Sequence, residues 1–152
     1  MSQPVLASVE ESLEILKRAR RIAVLGIKPE SRKSAAGYWV PDMLQRLGYE
    51  IVPVPVRYPE ATEILGRAVV RDLRAVAGVD ILNVFLRPDQ VAQYVDVMIE
   101  ARPRVVWFQS GCLDMACAAE LVAAGMVVVH DCIACRRATI QPSHAPLPGQ
   151  GG

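Results

Sequence analysis

Five short segments of this chain are apolar almost without interruption: residues 22–25, 50–55, 81–86, 105–108 and 126–129. A strand with one wet face alternates apolar and polar side chains, whereas a strand covered on both faces does not. Segments with helical spacing or turn chemistry lie between these runs. Buried strands alternating with helices predict an α/β fold in three layers, a parallel sheet with helices on both faces. With 152 residues, 52 % of them apolar, the chain suits one core. A single domain is expected over residues 1–140 and a flexible tail over 141–152, where SHAPLPGQGG is rich in proline and glycine.

Punctuation along the chain supports this layout. Ser8 and Glu11 form a capping-box pattern ahead of an amphipathic helix that runs to about Arg20. YWVPDMLQRLG predicts a second helix, with Pro41 in its first turn and Gly48 past its end. The prolines of EIVPVP place the second strand toward an edge. A short third strand is expected at 68–70 and a helical turn at 72–77. Helices are expected over 88–101 and 113–124, the second closed by Gly125.

The formal net charge is +1, which supplies no whole-chain attraction to nucleic acid or a membrane surface. No apolar run reaches the length of a membrane span, and the polar, acidic start is unlike a targeting peptide. A cytoplasmic protein is expected, with its four cysteines reduced.

Ligands of open parallel sheets sit beyond the carboxyl ends of the strands. The first such loop, after Gly26, carries Lys28, Ser31, Arg32, Lys33 and Ser34 before a helix start, a composition suited to phosphate. It matches neither the P-loop nor the dinucleotide fingerprint. The second strand ends in Val54, Pro55, Val56 and Arg57, where an NAD-binding chain carries an acid for the ribose. Arg57 suits a phosphorylated adenosine instead. Phe85 and Arg87 follow the fourth strand, and Gln109, Ser110 and Gly111 the fifth.

The last strand runs into His130, Asp131, Cys132 and Cys135. C-x-x-C spacing fits redox chemistry, and the neighbouring Arg136 and Arg137 favour a thiolate. A metal site would need Cys112 and Cys117 as well; if both lie on one helix, their five-residue offset turns them to different faces. His130 and Asp131, adjacent in an extended segment, point apart. His144 lies in the tail. A pocket wall is a third reading of the pair.

The ordered pieces IAVLG, WVPDMLQRLGYEIVPVP, EILG, VDILNVF, VWFQSG and VVVHDC carry a resemblance. From about residue 13 to residue 132 the chain resembles the small stand-alone CoA-binding proteins, which are related to the CoA-binding domain of the succinyl-CoA synthetase α subunit. The resemblance implies a Rossmann-like domain that binds coenzyme A or an acyl-CoA across its strand ends. It implies that Gly26, Ile27, Lys28 and Ser34 meet the diphosphate, and that Pro53, Val54, Pro55 and Arg57 flank the adenosine and its 3′-phosphate. Phe85 and Arg87 would wall the nucleotide site. Gln109, Ser110 and Gly111 would follow the pantetheine arm, with Cys132 near its far end. Where the family reads DRC, this chain reads His130, Asp131, Cys132, an acid in place of a cation.

The relatives that ligate CoA use further domains. The favoured expectation is therefore a non-catalytic CoA-binding module, with an unidentified protein partner left open and no nucleic acid or membrane. Two alternatives stand beside it. One is an NADP-type oxidoreductase or thiol redox protein using Cys132 and Cys135, including a variant in which Cys132 forms a mixed disulfide with CoA. The other is an interaction subunit with a vestigial pocket.

Overall fold

A computed structural model of the protein describes residues 5–136; the expected tail and His144 lie outside the described residues. Helix α1 (Val9–Arg18) starts at the expected capping box: Ser8 Oγ accepts from the Glu11 N–H, and Glu11 accepts from the Ser8 N–H. Then follow β1 (Arg21–Leu25), α2 (Ala36–Arg46), β2 (Glu50–Val54), the two-residue strands β3 (Glu63–Ile64) and β4 (Arg67–Ala68), and β5 (Ile81–Val84). The second half contains α3 (Pro88–Val91), α4 (Val95–Ala101), β6 (Val105–Phe108), α5 (Met115–Ala123) and β7 (Val127–His130).

Five strands form one parallel sheet in the order β2-β1-β5-β6-β7. Alternate residues of each strand feed two cores. Ile22, Val24, Ile81 and Trp107 pack under α1 and α2 through Leu16, Val40 and Leu44. Ala23, Leu25, Val84 and Phe108 pack on the other face against Val95 and Met98 of α4 and Leu121 of α5. The three-layer α/β arrangement expected from the continuous apolar runs is the one observed, and it is Rossmann-like.

The chain reverses its direction of travel across the sheet between β1 and β5, which is the topological switch point. Gly26 closes β1 there. Its N–H donates to the Val54 carbonyl and the Phe85 N–H donates to the Leu25 carbonyl, so three strand ends stay laced together. Gly26 has φ +89°, and a Cβ on it would lie 2.4 Å from the Phe85 carbonyl oxygen.

Three local expectations are corrected. Residues 68–70 do not join the main sheet; β3 and β4 form a separate antiparallel ribbon. Pro53 turns its carbonyl to the outer edge of β2, where it accepts from the Val70 N–H at 2.9 Å. Proline has no N–H to return, so a ladder cannot continue. Helix α2 begins at Ala36, which puts Pro41 inside it rather than in its first turn. The carbonyl that proline leaves without an intrahelical donor is that of Gly37, and the Lys28 N–H fills it at 3.0 Å. The single helix expected over 88–101 is α3 and α4 joined by a 3-10 turn at Ala92–Tyr94. That tighter turn still leaves Val91, Val95 and Met98 buried on the sheet.

Tyr49 joins the end of α1 to β2. The N–H groups of Arg20 and Arg21 turn away from α1 to share Asp80 Oδ2, each at 3.0 Å. The Leu16 carbonyl accepts from the Tyr49 hydroxyl instead. Burial pushes the Tyr49 phenol up to about 12 from 10.0.

Two outcomes are expected. Gly26→Ala should cost about 2–4 kcal/mol in urea unfolding, from left-handed backbone strain plus overpacking. Gly48→Ala should cost only about 1 kcal/mol, because its φ is +105° but nothing lies within 4 Å of the added methyl. For Tyr49, the fold accepts only the neutral phenol. Its stabilisation is whole below pH 10, the unfolded value, and is lost as pH rises through about 12. Unfolding free energy measured from pH 9 to 12 should fall more steeply in the wild type than in Tyr49→Phe, which should itself cost about 1 kcal/mol at neutral pH.

Candidate functional site

The carboxyl ends of the five parallel strands share one rim of the sheet, and most of the expected site residues lie on it. Gly26 and Ile27 are buried, Ile27 within the core beneath α1 and α2. The Lys28 N–H is spent on Gly37, so only its side chain can meet a ligand. That ammonium lies 5.7 Å from the centre of the Tyr58 ring, a cation–π contact joining the loops after β1 and β2. Ser34 is exposed just before α2, whose N-terminus has no side-chain cap.

The loop after β2 is shaped by a residue that sequence reasoning missed. Arg71 donates to four carbonyls, those of Pro55, Arg57, Tyr58 and Ala61, at 3.4, 3.0, 2.7 and 3.1 Å. One guanidinium thereby fixes the whole turn, including Tyr58 in its left-handed conformation at φ +60°. Arg57 itself is exposed. No local motif marks Arg71, because its partners are main-chain atoms ten to sixteen residues away; an arginine shortly after a proline-rich strand end was the available signal.

Val54 and Pro55 line a cleft of about 550 Å³ together with Leu25, Arg71, Arg74 and Tyr94. A second cleft of about 520 Å³ lies at the opposite, amino end of the sheet, between α1 and the starts of β6 and β7. The first is the better ligand site, since it occupies the strand ends where open parallel sheets bind.

Phe85 is half-buried against the core under α1 and α2. Arg87 is exposed and pairs with Asp89 at 3.3 Å. Pro53 is buried in β2; Ser110 and Gly111 are exposed, and Gly111 has φ +84°. Gln109 is only 7 % exposed, and its Oε1 has no hydrogen-bond partner. Asn83, wholly buried one strand away, has neither Oδ1 nor Nδ2 partnered. Buried polar atoms are nearly always paired, so these two amides stand out within the otherwise apolar strand ends.

Comparison with known proteins identifies the family. The model of the CoA binding domain matches residues 20–138. The chain belongs to that family. It is 34 % identical over 132 residues to the uncharacterized protein YneT of Bacillus subtilis, covering 86 % of this chain and 92 % of that one. Among solved structures it is similar to cell-free ID.343 from Thermus thermophilus, with 29 % identity, TM-score 0.79, and 89 % and 100 % of the two chains covered. A hypothetical protein from Pyrococcus horikoshii shares the fold at 24 % identity and TM-score 0.77, over 92 % of this chain and 97 % of that one.

In this CoA-binding domain the segment after β7 departs from the expected reduced thiols: Cys132 and Cys135 are disulfide-bonded, with Cα atoms 5.2 Å apart. C-x-x-C on a tight turn brings the sulfurs together without a backbone shift. Asp131, which stands where the family has arginine, accepts from Arg136 Nε at 2.7 Å and Nη2 at 3.1 Å. The acid is therefore balanced by a cation of the same turn. His130 is exposed.

Cys112 and Cys117 are free thiols, the first half-buried and the second buried. Burial, reinforced by Asp114, pushes the Cys117 thiol up to about 11; burial also raises Cys112. After full reduction, iodoacetamide at pH 8 should therefore label Cys117 at least about tenfold more slowly than a free model thiol. Peptide mapping of a time course checks this; labelling of Cys117 at the model rate would contradict its buried setting.

Proposed function

We propose that the protein binds coenzyme A or an acyl-CoA at its strand-end rim, as a non-catalytic module. The carrying observation is the cleft beside Val54 and Pro55, at the switch-point side of a sheet whose residues 20–138 match the CoA binding domain. The adenosine lies against Val54 and Pro55, with Pro53 fixing the strand behind them. Arg57, on the loop that Arg71 fastens, takes the 3′-phosphate. Lys28 and the uncapped start of α2 near Ser34 receive the diphosphate, and Gly26 and Ile27 give the loop its close approach. Phe85 and Arg87 border the nucleotide from β5. Pantetheine carries two amides, and the Gln109 carbonyl oxygen accepts from one of them as the arm passes Ser110 and Gly111 toward Cys132.

Calorimetric titration under reducing conditions with CoA, dephospho-CoA and NADP tests the reading. CoA should bind saturably, and removal of the 3′-phosphate should weaken binding by about tenfold, or ~1.4 kcal/mol. Arg57→Ala should weaken CoA by a similar factor and leave dephospho-CoA unchanged. Equal affinity for CoA and dephospho-CoA would remove Arg57 from the site, and tighter binding of NADP would replace the ligand.

A further inference from the structure

The turn from Asp131 to Arg136 is held by more than its disulfide. The Asp131 N–H donates to the Phe108 carbonyl at the end of β6, and Trp107 Nε1 donates to the Asp131 carbonyl at 2.8 Å. Ile133 is fully buried in the core that also contains Ile27, with Phe85 and Ala134 packed against it. The Cys135 N–H donates to the Cys132 carbonyl, the Arg136 N–H to the Ile133 carbonyl, and the Arg136 guanidinium to Asp131. These bonds keep Cys132 and Cys135 adjacent whether or not their sulfurs are joined. The turn sits beside Gln109, whose buried oxygen is unpartnered. Cys132 is half-buried on the strand side and Cys135 is exposed to water.

We propose that this disulfide is a covalent exchange site for the terminal thiol of bound CoA, with Cys132 as the sulfur that bonds the ligand and Cys135 as the resolving thiol. The inference rests on the CoA-binding reading above. The CoA thiolate attacks Cys132 Sγ; the new sulfur–sulfur bond forms as the Cys132–Cys135 bond breaks, and Cys135 leaves as a thiolate that takes its proton from water. In reverse, the Cys135 thiolate attacks Cys132 Sγ and expels CoA. The intramolecular disulfide is the oxidant in one direction and the mixed disulfide in the other, so no further reactant is needed. The exposed position of Cys135 favours its solvation as the leaving thiolate. The preformed turn keeps it at high effective concentration for the return step.

The full chain, first reduced and freed of reductant, is incubated with oxidised CoA and followed by intact mass and peptide mapping. Cys135→Ser should accumulate one CoA on Cys132, removable by reductant. The wild type should clear that adduct at least about tenfold faster and finish as the Cys132–Cys135 disulfide. Excess desulfo-CoA should slow the modification of Cys135→Ser by a similar factor, and oxidised glutathione should react about tenfold more slowly than oxidised CoA. Calorimetry with desulfo-CoA separates the two claims. If desulfo-CoA binds but Cys132 gains no adduct, or gains it equally fast from glutathione, exchange is wrong and CoA binding stands. If desulfo-CoA does not bind, the binding reading itself fails. An adduct that forms on Cys135 in Cys132→Ser as readily as on Cys132 would reverse the assignment of the two sulfurs.

Discussion

The fold turns on the approach of Gly26 to the Phe85 carbonyl. A side chain at residue 26 would occupy the space of that oxygen, 2.4 Å from where its Cβ would stand. Because the site has only hydrogen, β1 can end with a left-handed residue while its N–H still reaches Val54 and its neighbour's carbonyl still receives Phe85. The ends of β2, β1 and β5 therefore stay level, and the loops that leave them open on one rim. Everything attributed to the rim, from the cleft beside Pro55 to the Gln109 acceptor, presupposes that the switch point is closed this tightly.

The loops above it are organised by hydrogen bonds that reach across the chain. Arg71 gathers four carbonyls of the turn after β2. Lys28 supplies the N–H that Pro41 cannot give Gly37. Asp131 and Arg136 close the turn after β7. In each case a hydrogen-bonding group fixes main chain first, and the side-chain groups left over on these loops include the Lys28 ammonium and the exposed Arg57 guanidinium. A division of this kind permits a precise rim without a rigid, fully buried loop, since each turn carries its own fastening.

Much of the fold was legible because its signals are local or periodic. Continuous apolar strands, the Ser8–Glu11 capping box and the prolines of β2 each act within a few residues, and each appears where expected. Most of the misses are nonlocal. Nothing adjacent to Pro41 says that Lys28 will complete its helix, so α2 was expected to begin later. Nothing near Arg71 announces four distant carbonyls. The ribbon of β3 and β4 replaced a sheet strand because Pro53 lacks an outward N–H, which depends on which way β2 faces. The rim itself was legible, since strands alternating with helices fix the end of a parallel sheet at which its loops open. The closeness of the Cys132 and Cys135 sulfurs was not, because it depends on the turn that Asp131 and Arg136 close.

The two outer edges of the sheet are both occupied. On one side Val70 reaches the Pro53 carbonyl, and the proline beside it presents no donor. On the other, the Ala7 N–H takes the Val128 carbonyl of β7, so the segment ahead of α1 lies along that edge. A parallel sheet with bare edges is a template on which a stranger's backbone can add. Here one margin is blunted by an imino acid and the other is covered by the chain's own beginning. Each border thereby offers a foreign backbone fewer open groups than a bare strand would.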